Sequence, residues 1–282
     1  MCRQPDKEGH CSQETPSIFA LSPPVAPEDD HLGLFKQATV TSVEAKYAVH
    51  PHVAEFWCTV TSWAFALPLL VLVYPPPGGL HYSLPGGIDS IPIEAPLILS
   101  FLTAVFSTLY HWTLWKLFSS LDAAVAVMTF YSASLVTVQA VGHDPHTVLS
   151  MLLGDGAVAP FDLPSFASHE VQLLSVLGLG TIFLVSWRKT AVPSVVLFGL
   201  FLPVTLYHFW LINSPVSALS IGIAVGFFLI DRLKIAATHP LWHLVGGYAL
   251  YHSFYTALAY YNQVPLVERS TRVDAMIQGL SM

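Results

Sequence analysis

Five polar residues in the apolar part of this chain are of the types that bind metal ions or assist hydrolysis. His239 and His243 lie four residues apart in the run His-Pro-Leu-Trp-His. On a helix this spacing places both imidazoles on one face, where they can bind one metal ion. His111 lies in another apolar segment, with Ser107 one helical turn before it and Asp122 eleven residues after it. Because ionisable side chains are costly at bilayer depth, their presence there indicates a function.

Three neutral imidazoles with a fourth, open position are typical of a catalytic zinc site. Zinc lowers the pKa of a bound water to ~7 and so provides hydroxide at neutral pH. Asp122 would take up the water's proton and pass it to a leaving amine, and Ser107 would donate a hydrogen bond to a developing oxyanion. Pro240 follows His239 where a zinc protease of the HExxH class carries glutamate, which argues against that class. Single histidines elsewhere are expected to form helix–helix hydrogen bonds: His81, His208 and His252.

The composition indicates that these residues belong to a membrane protein. Of the 282 residues, 54% are hydrophobic and only 10% are charged, whereas about a quarter of a soluble domain is charged. The net charge of −7 offers no basic surface for nucleic acid. A helix needs about 20 apolar residues to cross a bilayer, and seven stretches reach or approach that length: roughly Val53–Tyr74, Pro96–Trp115, Leu121–Val141, Val171–Trp187, Pro193–Asn213, Pro215–Leu233 and His239–Tyr261. We therefore predict an all-α membrane protein, a bundle of seven transmembrane helices.

The two ends of the chain differ from this apolar middle. Residues 1–40 are rich in Pro, Glu, Asp and Ser and predict a disordered tail rather than a cleavable signal peptide. The seven-helix domain is predicted at residues 41–262, and a short polar tail at residues 263–282. The three cysteines predict neither a disulfide framework nor a CxxC zinc site.

The order of the seven stretches predicts that the five polar residues lie at one depth. The second stretch ends just after His111, and the third is predicted to start near Ser119 and Ser120, with Asp122 in its first turn. The seventh stretch starts at His239, and all of these ends face the same side. The loops of that side carry basic residues, so the positive-inside rule places it in the cytosol: Lys116, Arg188, Lys189, Arg232 and Lys234.

Four stretches between Glu44 and about Tyr261 form a pattern: Ala54-Glu55-Phe56-Trp57, Ser107-x3-His111, Leu121-Asp122, and His239-x3-His243 followed by Gly246-Gly247. With this pattern the chain resembles the alkaline ceramidases and, more distantly, a superfamily of seven-helix membrane hydrolases that includes the progestin and adiponectin receptors. The histidine, serine and aspartate elements mark the whole superfamily. The first stretch and the spacing from His111 to Asp122 are similar to those of ceramidases in particular.

The resemblance implies an integral-membrane, zinc-dependent amidohydrolase. Its substrate would be ceramide, cleaved to a sphingoid base and a fatty acid, and its location the endoplasmic reticulum or the Golgi. The implied zinc ligands are His111, His239 and His243, with Ser107 and Asp122 assisting hydrolysis. The family's site faces the lumen, opposite to the charge distribution, so both orientations stay open.

The resemblance also implies a calcium site just before the first helix. Glu44 and Glu55 are its candidate ligands in this sequence. The aligned positions Thr41, Ser42 and Lys46 lack the expected ligands, and calcium takes about six oxygen ligands or more. Calcium dependence therefore stays open.

Two other functions fit parts of the same pattern. A receptor-like or other non-hydrolytic member of the superfamily would hold a structural zinc, and it would not require Asp122 or Ser107. A membrane haem protein would use paired histidines from different helices, but it gives an aspartate and a serine at the same depth no evident role.

Overall fold

The computed structural model describes residues 33–38, 42–80, 93–140, 169–185, 199, 202–203, 205–210 and 212–263. This part of the chain is mostly helical and contains no β-strand. We number its continuous helical runs α1 to α6: Phe56–Val73, Glu94–Thr113, Lys116–Ala140, His169–Val185, Pro215–Arg232 and His239–Gln263.

Four of these helices, α1, α2, α3 and α5, are long and apolar enough to cross a membrane. This finding supports the predicted all-α membrane protein. The helix α4 is apolar but shorter, and α6 has 25 residues with several polar ones. About half of the predicted stretch Pro193–Asn213 lies outside the described residues, and residues 205–210 within it are helical. The count of seven spans therefore stays a prediction.

The first helix changes its geometry along its length. It starts as an α-helix at Phe56–Thr61, tightens to a 3₁₀-helix at Ser62–Leu69 and ends as a short α-helix at Leu70–Val73. Pro68 lies inside the 3₁₀ stretch. Because proline has no N–H, it cannot donate the α-helical hydrogen bond to the carbonyl of Ala64. The backbone of this stretch therefore departs from a regular α-helix.

The third helix starts earlier than predicted. It begins at Lys116, so Ser119 and Ser120 lie inside it and do not cap it; the Ser120 hydroxyl instead donates to the carbonyl of Lys116. Leu114 takes a left-handed conformation (φ 55°) and closes the tight turn between α2 and α3. Asp122 accordingly lies in the second turn of α3 rather than the first.

A segment upstream of α1 pairs with this turn. Backbone N–H groups of Ala38, Lys116 and Leu117 donate to carbonyls across the two segments, at 2.7, 3.0 and 2.9 Å. Residues 33–38 belong to the stretch predicted as a disordered tail, so ordered backbone contacts already occur before residue 41. The N–H groups of Ala54 and Glu55 likewise donate to the carbonyls at the end of α2.

The helices pack in an order that differs from their order in the chain. The last helix, α6, contacts both α1 and α5, while α2 lies between α1 and α3 and α4 packs on α3. As a result the C-terminal end of α2 and the N-terminal end of α6 meet around the start of α1. Large apolar side chains remain exposed along the bundle, as expected for surfaces that face lipid: Trp63, Leu72, Ile98, Leu174, Leu219 and Leu244, among others.

Candidate metal centre

The structure brings the three predicted histidines together. His111, near the end of α2, and His239 and His243, in the first turns of α6, have ring centroids 4.7 to 5.1 Å apart. One ligand atom from each of the three rings lies within 4.8 Å of the others. All three side chains are buried. A buried cluster of three imidazoles can hold a metal ion.

Each of these histidines has an oxygen acceptor near its Nδ1 atom. His111 Nδ1 lies 2.5 Å from a Glu55 carboxylate oxygen, and His243 Nδ1 lies 3.1 Å from the carbonyl oxygen of Cys58. His239 Nδ1 lies 3.4 Å from a carboxylate oxygen of Asp231 but forms no hydrogen bond with it. Because carbonyls and ionised carboxylates only accept, the proton of His111 and that of His243 belong on Nδ1. This tautomer leaves the Nε2 lone pair of these two rings available to a metal.

The Nε2 atom of His111 is a direct test of whether a metal fits. It is buried and has no hydrogen-bond partner. A buried polar atom without a partner costs about 1–3 kcal/mol, so such an atom needs an explanation. A metal ion shared with His239 and His243 supplies the missing ligand contact. Acceptors behind metal-binding histidines are also the usual outer shell of such sites.

Glu55 is the most connected of these acceptors. It is fully buried, and it contacts His111, the backbone N–H of Ser42 at 3.0 Å and the ammonium of Lys46. Burial raises the pKa of the Glu55 carboxyl, but the hydrogen bonds from His111 and Lys46, together with the charge of Lys46, outweigh burial and lower the pKa below its ordinary value. Glu55 thus stays ionised and holds His111 in place.

Asp231 lies behind His239. It is buried in the last turn of α5, with one oxygen 3.4 Å from His239 Nδ1 and the other accepting from the backbone N–H of Val43 at 3.2 Å. Both outer-shell carboxylates therefore also bind the segment upstream of α1.

A second group of potential ligands overlaps the first. Glu55, Cys58 and His111 offer one ligand atom each within 4.8 Å of one another, and all three are buried. Because His111 is common to both groups, the two form one polar cluster of His, Glu and Cys. This cluster could hold a metal ion whose identity the donor atoms alone do not decide.

Ser107 and Asp122 lie beside the histidine cluster. Ser107 is buried one turn before His111, and its hydroxyl is 3.1 Å from that of Ser62. Asp122 is half-buried and interacts electrostatically with Ser107 and His111. The two residues that the sequence singled out for proton transfer and oxyanion binding thus lie near each other.

No protein-family model matches this chain, and a search of curated proteins finds no match. The resemblance stated from the motifs therefore remains an expectation. The fold and the site themselves show a helical membrane protein with a buried cluster that can bind metal.

Sequence reasoning missed the part that α1 plays in the site. The hydroxyls of Thr61 and Ser62 lie 3.2 and 3.3 Å from His243 Nδ1, and Ser62 also reaches Ser107. Cys58 and Ser62 are spaced i, i+4 in an apolar helix, and this spacing was the available signal of a polar face. Among the lone histidines, His252 makes the expected helix–helix hydrogen bond, to Ser217 of α5 at 2.8 Å. Neither ring nitrogen of His208 has a hydrogen bond, and His81 lies outside the described residues.

The residues proposed as calcium ligands do not fit a calcium ion. The two carboxylate oxygens of Glu44 accept the backbone N–H groups of Trp57 and Cys58, at 2.7 and 2.9 Å, and so cap the start of α1. Both oxygens of Glu55 are engaged as described above. These carboxylates do not converge on an oxygen-lined space with the six or more ligands that calcium takes.

Replacing Glu55 with glutamine is expected to weaken metal binding about 10- to 100-fold, as loss of an outer-shell partner typically does. The amide keeps the size of the side chain but loses the charge that orients His111. Metal affinity of the purified variant, measured by competition with a chelator of known affinity, checks the prediction. The matched control is Glu44→Gln, which alters a helix cap and should leave metal affinity within about twofold of wild type. Equal affinities for both variants and wild type would contradict the role of Glu55.

Proposed function

We propose that this protein is an integral-membrane, zinc-dependent amidohydrolase that cleaves ceramide into a sphingoid base and a fatty acid. The observation that carries the proposal is the cluster of three buried imidazoles, with ligand atoms within 4.8 Å of one another, beside Ser107 and Asp122. A bundle of seven transmembrane helices in the endoplasmic reticulum or Golgi is part of the same proposal.

The donor set favours zinc among the common metals. Imidazole nitrogens suit zinc, whereas calcium and magnesium take oxygen ligands. Three histidine ligands are also typical of zinc sites that carry out chemistry. His111, His239 and His243 would be the ligands, and zinc when bound supplies a Lewis acid and lowers the pKa of a water to ~7.

The side chains around the cluster then have distinct tasks. Asp122 takes the proton of the attacking water and delivers it to the amide nitrogen as the carbon–nitrogen bond breaks. Ser107 lies near the Asp122 carboxylate and can donate to the amide oxygen as negative charge develops there. Ser62 and Thr61 hold the His243 ring and offer further hydroxyl groups at the same place.

The membrane setting supports a lipid amide as the substrate. The cluster lies at the ends of α2 and α6, so an amide at the headgroup level of the bilayer can meet it while two hydrocarbon chains stay among the helices. Aromatic side chains lie around the histidines on the bundle side, with Phe65 5.4 Å from the His243 ring and Phe228 6.5 Å from the His239 ring, centroid to centroid. Such apolar surroundings suit the hydrocarbon of ceramide.

A receptor-like protein with a structural zinc is the second candidate. The observation that favours it is the burial of all three histidines, with exposed fractions of 1%, 6% and 1%, because structural sites are closed to water. The Ser107–Asp122 pair favours the hydrolase, since a structural site needs neither residue.

The decisive experiment combines elemental analysis with hydrolysis of a panel of ceramides by the purified full-length protein. We expect one equivalent of zinc and the release of free sphingoid base, with or without added calcium. Zinc-loaded protein that releases no base from any ceramide would remove the hydrolase and favour the structural site. A Soret band without zinc would indicate haem instead.

Replacing His239 with alanine is expected to lower zinc content to below about a tenth of wild type, because it leaves only two imidazole ligands. Hydrolysis should fall with the metal. The matched control is His252→Ala in the same helix, because His252 bonds Ser217 away from the cluster. Elemental analysis of both variants checks the prediction, and full zinc occupancy in the His239 variant would contradict it.

A further inference from the structure

The ammonium group of Lys46 lies in a cage of three oxygens next to the metal centre. Its Nζ atom is 3.0 Å from the carbonyl oxygen of Ser42, 2.9 Å from the carbonyl oxygen of its neighbour Glu44, and in contact with a carboxylate oxygen of Glu55. A lysine ammonium has three N–H donors and no acceptor. Three oxygen acceptors around one ammonium therefore satisfy all of its donors.

This cage is continuous with the ligands of the metal centre. The Glu55 carboxylate contacts Lys46 through one oxygen and His111 through the other. The same short segment reaches the second outer-shell carboxylate, because the N–H of Val43 donates to Asp231. The segment Ser42–Lys46 thus holds the carboxylates behind two of the three histidines.

A cation at this position is required by electrostatics. Glu55 is fully buried, and a buried carboxylate without a compensating charge is costly. In the tautomer that leaves Nε2 free, His111 is neutral and compensates Glu55 only by a hydrogen bond. The Lys46 side chain is 28% exposed, so its stem can run to the surface while the charged end fills the cage. An ammonium on the chain itself needs no ion from solution.

We propose that Lys46 is a positioning residue that acts as a tethered cation: its ammonium fills a cage of three oxygens, supplies the positive charge beside the buried Glu55 carboxylate, and fixes Glu55 and, through Glu55, His111. The consequence is that the zinc centre of this chain is assembled without a second, dissociable cation. The role of Lys46 toward His111 rests on the proposed zinc centre, whereas the cage itself does not depend on ceramide as substrate.

Zinc affinity and thermal stability of the full-length protein test the proposal without any substrate. Lys46→Met keeps the length and apolar character of the stem and removes the charge; we expect zinc affinity to fall about 10-fold or more and the melting temperature to fall. Lys36→Met is the matched control, because Lys36 is an exposed lysine that also lies upstream of α1. This variant should behave as wild type. Unchanged zinc affinity and melting temperature in Lys46→Met would overturn the proposal.

Chemical rescue separates a cation site from general damage to the fold. In Lys46→Ala, n-propylammonium replaces the missing atoms and should restore zinc affinity, while tetramethylammonium, which has the charge but no N–H donor, should not. Equal effects of the two ions, or no rescue by n-propylammonium, would overturn the tethered cation. Calcium added to wild type should leave its melting temperature unchanged, and a rise would also overturn the proposal. Because none of these readouts uses ceramide, a wild-type protein that binds zinc but hydrolyses nothing would reject the proposed reaction and leave the test of Lys46 intact.

Discussion

Replacing Asp122 with asparagine should leave zinc bound and slow ceramide hydrolysis at least about 100-fold. Asparagine keeps the shape of the side chain and can still accept a hydrogen bond from Ser107, but it cannot take up a proton at neutral pH. Removing a positioned acid–base group typically costs about 100- to 10,000-fold in rate. Release of sphingoid base under saturating ceramide, together with zinc content from the same preparation, gives both quantities.

A second carboxylate of the site serves as the matched control. Asp231 lies behind the proposed zinc ligand His239, 3.4 Å from its Nδ1 atom, so Asp231→Asn should weaken zinc affinity and lose activity in proportion to the zinc lost. The Asp122 variant should instead be slow at full zinc occupancy. If Asp122→Asn turns over ceramide at the wild-type rate, Asp122 is not the proton carrier. If it loses zinc as readily as the Asp231 variant, its role is structural.

The histidine cluster could be predicted because local spacing on helices was enough. The separation of His239 and His243 puts two rings on one face of α6, and that of Ser107 and His111 does the same on α2. The alternation of helix direction then brings the end of α2 and the start of α6 to one side of the bundle. The structure places all four side chains in one cluster, with adjacent imidazole centroids about 5 Å apart.

The atoms behind the histidines could not be predicted in the same way, because they are brought in by tertiary contacts. The carbonyl of Cys58 reaches His243 from another helix, 185 residues away in the chain. Whether His111 and Lys46 contact Glu55 depends on how the segment Ser42–Lys46 folds back over α1. The resemblance implied Glu44 and Glu55 as calcium ligands; in the structure Glu44 caps α1 and Glu55 contacts His111.

The observed helix boundaries differ from the predicted ones where the geometry of a turn determines the boundary. Ser119 and Ser120 are good capping residues in isolation, but α3 already starts at Lys116. The left-handed Leu114 reverses the chain so tightly that the helix begins before the serines. Leucine is rarely found in this conformation, so the residue type at position 114 did not indicate a turn.

Replacing Gly247 with alanine should damage both the fold and the metal centre. A Cβ atom at this position would lie 2.1 Å from the carbonyl oxygen of Ala64 and 2.4 Å from its carbonyl carbon, and backbone atoms cannot move aside as a flexible side chain can. The helices α6 and α1 must therefore separate, at a cost of about 1–3 kcal/mol or more for overpacking. His243 lies one turn before Gly247 and contacts α1 through Cys58, so separation also moves a ligand. We expect a lower melting temperature and zinc content well below wild type.

The adjacent glycine makes the prediction specific to this close approach. A Cβ at Gly246 would meet its nearest atom, on the Phe65 ring, at 3.4 Å, which is ordinary contact. Because alanine is favoured over glycine within a helix by about 1 kcal/mol, Gly246→Ala should be neutral or slightly stabilising, with full zinc content. Two identical substitutions one residue apart should thus have opposite effects. Equal melting temperatures and zinc contents for the two variants would mean that α1 and α6 do not approach as closely as the metal centre requires.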